Sequence, residues 1–255
     1  MKKIIICVCI CLFSIYSFSQ AWVEFTPVES IEPIVNVLIS DSLLVEFEVL
    51  IPGMYDTQID TFNRIELKGH TKLDSVGYPE VPVVSFLVAI PDCGDINLNI
   101  DLKDSIKFSN YNIYPAPEFV MDSTPEAHKY FREEFVYNDT AYTTDSYFPG
   151  IISETIDRGA VRAQQCIRVL FYPVQFNPVS KSITVYSEVK ISLTFTSPTG
   201  PVNNNVGIFN EMLGNSMINY ISNGLNASVS CGMEATTLDC EDYFVTLLHN
   251  QKISA

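Results

Sequence analysis

The chain has 255 residues, with 15 Lys and Arg against 30 Asp and Glu, a formal net charge of −15. So acidic a surface repels phosphate backbones and anionic lipid, which excludes nucleic-acid binding and electrostatic recruitment to membranes. With 47% hydrophobic residues it can enclose a core without support from a metal or a disulfide.

In chain order, Lys2 and Lys3 precede an apolar run from Ile4 to Phe13, and Ser17 and Ser19 are the small residues a signal peptidase reads. The run is shorter than the roughly 20 residues of a membrane span, so residues 1–19 read as a cleaved signal peptide. Cleavage removes Lys2 and Lys3 and no acid, leaving 13 basic residues against 30 acidic ones, a net −17. The expected location is the periplasm, then the medium or cell surface, with no membrane attachment after cleavage.

Strands are expected at Trp22–Phe25, Leu43–Leu50, Phe62–Leu67, Val83–Ile90, Ile96–Leu102, Phe108–Tyr114, Phe135–Tyr137, Ile151–Ile156, Val161–Phe171, Ser182–Tyr186 and Val189–Thr196. All are rich in β-branched or aromatic residues and bounded by Pro, Gly, Asp or Asn. The polar segment from Met121 to Gly150 reads as a long loop. Tyr172-Pro173-Val174-Gln175-Phe176-Asn177-Pro178 reads as a turn. From Ile183 to Phe195 every odd position is apolar except Ser187, while the even ones are mostly Thr, Ser, Glu188 and Lys190. That period of two gives a half-buried antiparallel strand. Residues 20–197 are therefore expected to form an all-β, antiparallel two-sheet sandwich, jelly-roll-like.

A break follows at Ser197-Pro198-Thr199-Gly200-Pro201, and residues 198–240 read as a linker carrying one amphipathic helix. In it Ile208, Phe209, Met212, Leu213, Met217, Tyr220 and Ile221 recur at helical spacing between Asn205 and Gly224. The apolar run Tyr243 to His249 looks like a buried parallel strand, so residues 241–255 would open a second, α/β domain. After signal removal Cys93, Cys166, Cys231 and Cys240 remain. Cys231 and Cys240 close the shortest loop and are the pair expected to bridge, while Cys166 lies in a strand and is expected to be buried. His70, His128 and His249 stand at no recognisable spacing from a cysteine and read as surface or loop residues. There is no metal or phosphate motif, so neither a metal nor another cofactor is expected.

Gly77-Tyr78-Pro79-Glu80-Val81-Pro82 ahead of Val83–Ile90, Tyr114-Pro115-Ala116-Pro117, Tyr147-Phe148-Pro149-Gly150 and Tyr172-Pro173 through Gln175-Phe176-Asn177-Pro178 occur in that order. Together, over roughly Trp22 to Thr196, they resemble the propeptide domain of gingipain-type cysteine peptidases of the Bacteroidetes. Gly77, Pro79, Pro82, Pro173, Asn177 and Pro178 are the structural positions of that resemblance. It implies a non-catalytic prodomain that keeps a following caspase-like peptidase domain latent and assists its folding. The chain would then be a fragment that ends just inside the peptidase domain, whose His and Cys dyad lies further on; the full-length precursor would be a cysteine endopeptidase. If the peptidase prefers basic residues, Lys129 or Arg132 in the long loop would fill its specificity pocket. No Lys or Arg occurs between Lys190 and Lys252, which leaves the junction without a site for such specificity. A second reading is a carbohydrate-binding or adhesion sandwich, with Tyr111, Tyr114, Tyr137, Tyr142 and Tyr147 stacking on sugars.

Overall fold

A computed structural model describes residues 20–41, 43–91, 94–121, 131–161, 164–196 and 217–218. The elements are β1 (Gln20–Glu24), β2 (Ile34–Ser40), β3 (Leu44–Leu50), β4 (Gly53–Ile59), β5 (Phe62–Glu66), β6 (Thr71–Lys72), β7 (Pro82–Ala89), β8 (Asp95–Ser109), β9 (Glu118–Met121) and β10 (Phe131–Glu134). A short helix, α1 (Asp139–Thr143), the one helix among the described residues, follows, then β11 (Ser153–Val161), β12 (Gln164–Phe171), β13 (Val174–Asn177) and β14 (Ser182–Thr196).

β14 organises the body. One of its edges pairs antiparallel with β8 along its whole length, and the other pairs first with β13 and then with β3, which carries β2 outside it. The odd residues of β14 all turn inward, including Val189, Ile191 and Leu193, which stand opposite Val49, Phe47 and Val45 of β3. The facing sheet runs β11-β12-β7-β6, and its inner face presents Val84, Phe86, Val88, Ile167, Val169 and Phe171. Phe47 of one sheet meets Phe86 of the other edge-on, with ring centroids 5.2 Å apart. The strict alternation read in the sequence thus becomes the seam of a sandwich.

Two smaller sheets extend the expected pair. The sheet β1-β4-β5 contributes Met54 and Ile65 to the same continuous core, and β9 and β10 form a separate two-stranded hairpin. Ile96–Leu102 lies within one long strand, β8, which takes in only Phe108 and Ser109 of the expected Phe108–Tyr114 and ends before Asn110, where φ is a positive 65°; residues 110–114 belong to no strand. Phe135–Tyr137 is not a strand. Its rings are drawn into an aromatic cluster, where Phe135 packs on Phe62 and Tyr137 stacks on Tyr142, and none of the described strands pairs with its backbone.

The turn expected at Tyr172–Pro178 is another correction. Residues 171–178 are all buried and include the strand β13, whose Val174 and Phe176 stand opposite Val185 and Ile183. The reversal itself lies at 178–181, where the Asn177 side-chain oxygen accepts from the backbone N–H of Val179 and of Ser180, each at 3.0 Å. Asn-Pro marks the turn but stands at its start.

Met217 and Ile218 do not follow the helical spacing read from Asn205 to Gly224. Ile218 forms a parallel bridge to Val88 of β7, its N–H donating to the Leu87 carbonyl at 2.8 Å, because that edge of β7 is left open beyond β6. Met217 is buried there against Ala89 and Cys166, so Cys166 lies inside, as expected of it. Residues 1–19, Cys93, Lys129, His128, Cys231, Cys240, residues 241–255 and the rest of 198–240 lie outside the described residues.

β2 presents no core face at all; its seven residues are exposed and five of them are large and apolar. An edge strand without a charge or proline is a template for association. Leu38, 46% exposed at the irregularity between Val37 and Ile39, is the position to change. Leu38→Lys is expected to leave the melting midpoint within about 2 °C and to raise the monomer fraction in sedimentation. A drop well beyond that would show Leu38 to be covered.

Candidate functional site

The four sequence fragments that stood far apart in the chain meet at one end of the body. The Gly77 N–H donates to the Ala116 carbonyl and the Ala116 N–H to the Tyr78 carbonyl, both at 2.8 Å, while Pro79 bridges Pro115. Gly77 has a φ of 81°, and a Cβ there would stand 3.3 Å from the backbone nitrogen of Asn138, so the turn and the close approach both call for glycine. Phe148 and Phe176 exchange backbone hydrogen bonds of 2.8 and 2.9 Å. The buried Gln175 amide then fills the gap beside them, accepting from the Gly150 N–H at 3.0 Å and donating to the Ile151 carbonyl at 2.8 Å. Asn177 completes the clamp by donating to Asp145 at 2.9 Å. Pro82 opens β7, and the Pro173 carbonyl accepts from Tyr186 at 2.8 Å. These positions act as scaffold: each fixes a neighbouring fragment.

α1 is held in the same cluster. Asn138 caps it, its side-chain oxygen accepting from the Ala141 N–H at 3.1 Å, and the buried Tyr142 hydroxyl donates to the Ile113 carbonyl at 2.7 Å. Burial pushes the Tyr142 phenol well above its ordinary range.

From this end the β9–β10 hairpin emerges. Phe131 stands opposite Met121, Arg132 opposite Val120, Glu133 opposite Phe119 and Glu134 opposite Glu118. Residues directly opposite share a face, so Phe119, Met121, Phe131 and Glu133 lie on one side and Glu118, Val120, Arg132 and Glu134 on the other. Phe119 is 60%, Met121 53% and Phe131 65% exposed, an apolar strip on an otherwise acidic protein. Arg132 is largely exposed and pairs with Glu134 on its own strand.

The root of the hairpin is tied down by one arginine. Arg64 of β5 donates through Nε and Nη2 to the two carboxylate oxygens of the buried Glu80, at 2.8 and 3.3 Å. Through Nη1 and Nη2 it also reaches both oxygens of Glu133, at 3.0 and 3.2 Å. Its guanidinium lies 5.2 Å from the centroid of the Tyr114 ring. Lys72 adds contacts to Glu80 at 3.2 Å and Glu66 at 3.0 Å. Burial by itself lowers the affinity of the Arg64 guanidinium for its proton, but the hydrogen bonds to Glu80 and Glu133 and their charges outweigh it, so the net shift is upward.

Sequence reasoning located the long loop but not its internal order. Only 122–130 of Met121–Gly150 lies outside the described residues; the rest includes the last residue of β9, β10, α1 and the Phe148–Gly150 clamp. It missed Arg64 and Glu133, and it read Glu80 only as part of a turn motif. An arginine, inside a short apolar strand and two residues after Phe62, was the one available signal. Of the five tyrosines considered for sugar stacking, Tyr142 is buried and Tyr111 and Tyr114 are half-buried, packed on Phe108 and Phe62 respectively; Tyr137 and Tyr147 are exposed. His70, in the turn after β5, is partly buried, and burial pulls its pKa down against a weaker upward pull from Glu32.

A family model described as Propeptide_C25 matches residues 28–227. Gingipain R1 of Porphyromonas gingivalis is 28% identical over 128 residues, which are 50% of this chain and 12% of that protein. Lys-gingipain of the same organism is 26% identical over 143 residues, 55% of this chain and 8% of its own length. The chain thus spans a small part of the length of these relatives. Among solved structures, a complex of the pro- and mature domains of RgpB from P. gingivalis superposes with a TM-score of 0.62 at 19% identity, covering 73% of this chain and 98% of that one. A structure addressing the zymogenic latency of gingipain K gives 0.56 at 19% identity, covering 71% and 99%. At such identity these two likenesses establish a shared fold.

Proposed function

Because the chain belongs to the Propeptide_C25 family, we propose that it is the non-catalytic prodomain of a secreted gingipain-type cysteine endopeptidase precursor, and that it keeps the C-terminal peptidase domain of that precursor latent and assists its folding. Residues 1–19 would direct export to the periplasm and then to the medium or cell surface. Residues 20–197 would be the inhibitory body, 198–240 the linker, with Cys231 and Cys240 bridged, and 241–255 the opening of the peptidase domain, which supplies the His and Cys of the chemistry.

The observation that carries this reading is the β9–β10 hairpin. A peptidase cleft is blocked by an extended segment presented from a rigid support, since a pre-ordered ligand loses little entropy on binding. Here the support is the clamp of four fragments, and the presented face carries Phe119, Met121 and Phe131, the exposed apolar residues a partner would cover. Lys129 lies in the nine-residue connection between the two strands, whereas Arg132 belongs to the stem and is paired with Glu134. That position favours Lys129 for any contact with an acidic specificity pocket. The lack of Lys or Arg between Lys190 and Lys252 means that release at the junction falls to another specificity, or that the domains stay joined.

Added in trans, the chain is expected to inhibit a mature gingipain-type peptidase at stoichiometric concentration. Lys129→Ala should weaken inhibition about thirtyfold, as loss of a central anchor does, and Arg132→Ala by less than about threefold. Full peptidase activity at excess chain would refute the prodomain role. Equal inhibition by both variants and the parent would remove the basic contact alone.

A further inference from the structure

Arg64 is built to span two parts of the molecule. Glu80, one of its partners, is buried in the fragment that opens β7, and the other, Glu133, stands on β10 of the hairpin; the two are separated by more than 50 residues of chain. A planar guanidinium with five donors can hold two carboxylates at once in fixed relative orientation, which a lysine, a point charge, cannot. Four hydrogen bonds between 2.8 and 3.3 Å use four of these donors, and the guanidinium carbon lies over the Tyr114 ring, 5.2 Å from its centroid.

The hairpin needs such a tie. β9 and β10 pair only with each other among the described strands, and a lone two-stranded hairpin is marginal in water. Three of the four residues on its Glu133 face, Phe119, Met121 and Phe131, are exposed, so packing does little to set its direction. Glu133 is the residue of that face that reaches a charged group of the body.

We infer that Arg64 is a positioning residue of the inhibitory hairpin: by bridging Glu80 and Glu133 it sets the direction in which β9 and β10 present their apolar face to the peptidase. This rests on the prodomain reading above for its purpose, although the tie itself can be tested without a peptidase.

The experiment is a double-variant cycle on the full chain, with Arg64→Lys, Glu133→Gln and both together, followed by amide hydrogen exchange. Each single variant should speed exchange at residues 118–121 and 131–134 about tenfold, the double variant should be no faster than the faster single, and amides of β3, β7 and β14 should be unchanged. Dissociation from a mature gingipain-type peptidase should then quicken about tenfold for each variant while association changes little. Uniform acceleration throughout the body, no change in the hairpin, or multiplicative single effects would overturn the bridge. Loosened hairpin amides with an unchanged dissociation rate would overturn the positioning role. If the parent chain inhibits no such peptidase, the prodomain reading fails while the exchange data still decide whether the bridge exists.

Discussion

Phe47→Ala should lower the melting midpoint by about 6–20 °C. Phe47 is fully buried in β3, stands opposite Ile191 of β14 and meets Phe86 of the facing sheet at 5.2 Å. Truncating it removes transfer free energy and leaves a cavity in the middle of the sandwich. The β3 backbone cannot collapse into that cavity, because β2 and β14 hold it on both edges. Phenylalanine to alanine in such a site costs about 3–5 kcal/mol, and for a domain of this size each kcal/mol shifts the midpoint by about 2–4 °C. Phe47→Leu should recover more than half of the loss. Thermal denaturation followed by circular dichroism decides it: a fall under about 3 °C for the alanine variant would mean that the two sheets do not share this core.

Glu80→Ala comes next in size, at about 3 kcal/mol, through charge rather than volume. The Glu80 carboxylate is buried and receives Arg64 through two nitrogens and Lys72 through one. Its loss leaves two half-buried cations with their outer partners, Glu133 and Glu66, and one desolvated position each without an acceptor. The comparison that isolates burial is Lys103→Ala. Lys103 pairs with Asp101 at 2.5 Å on the exposed part of β8, where solvent screens the charges, and its replacement should leave the midpoint unchanged. Denaturant midpoints for the two variants provide the check; equal effects would show that Glu80 is not acting as a buried acceptor.

Much of the fold was legible in the sequence because it depends on local patterns. The alternation from Ile183 to Phe195 fixed which side chains of β14 enter the core, and β3, β5, β7 and β12 stood out through β-branched and aromatic runs. Elements without that signature escaped. β13 is four consecutive buried residues with no alternation, and it is a strand because β14 offers it backbone partners. β2 and β4 gave no clear boundary. Phe135–Tyr137 has strand composition, yet its aromatic rings find the Phe62 and Tyr142 rings instead of a strand partner.

The candidate site divides in the same way. Glycine and proline fragments could be read in order, since their backbone preferences are intrinsic, and the polar stretch beyond Met121 could be read as a long connecting segment. That the fragments clamp one another, and that Arg64, Glu80 and Glu133 form one bridge, follows from contacts across 16 to 69 residues of chain.

By itself, then, the sequence determined an acidic, all-β body with a family resemblance to gingipain propeptides, because charge, two-residue periodicity and turn chemistry are written residue by residue. Tertiary structure alone decided how the sheets are shared, where the hairpin is anchored and which carboxylates Arg64 joins. Hydrogen-bond partners and buried charges are chosen in three dimensions, and no local pattern encodes a partner that lies dozens of residues away.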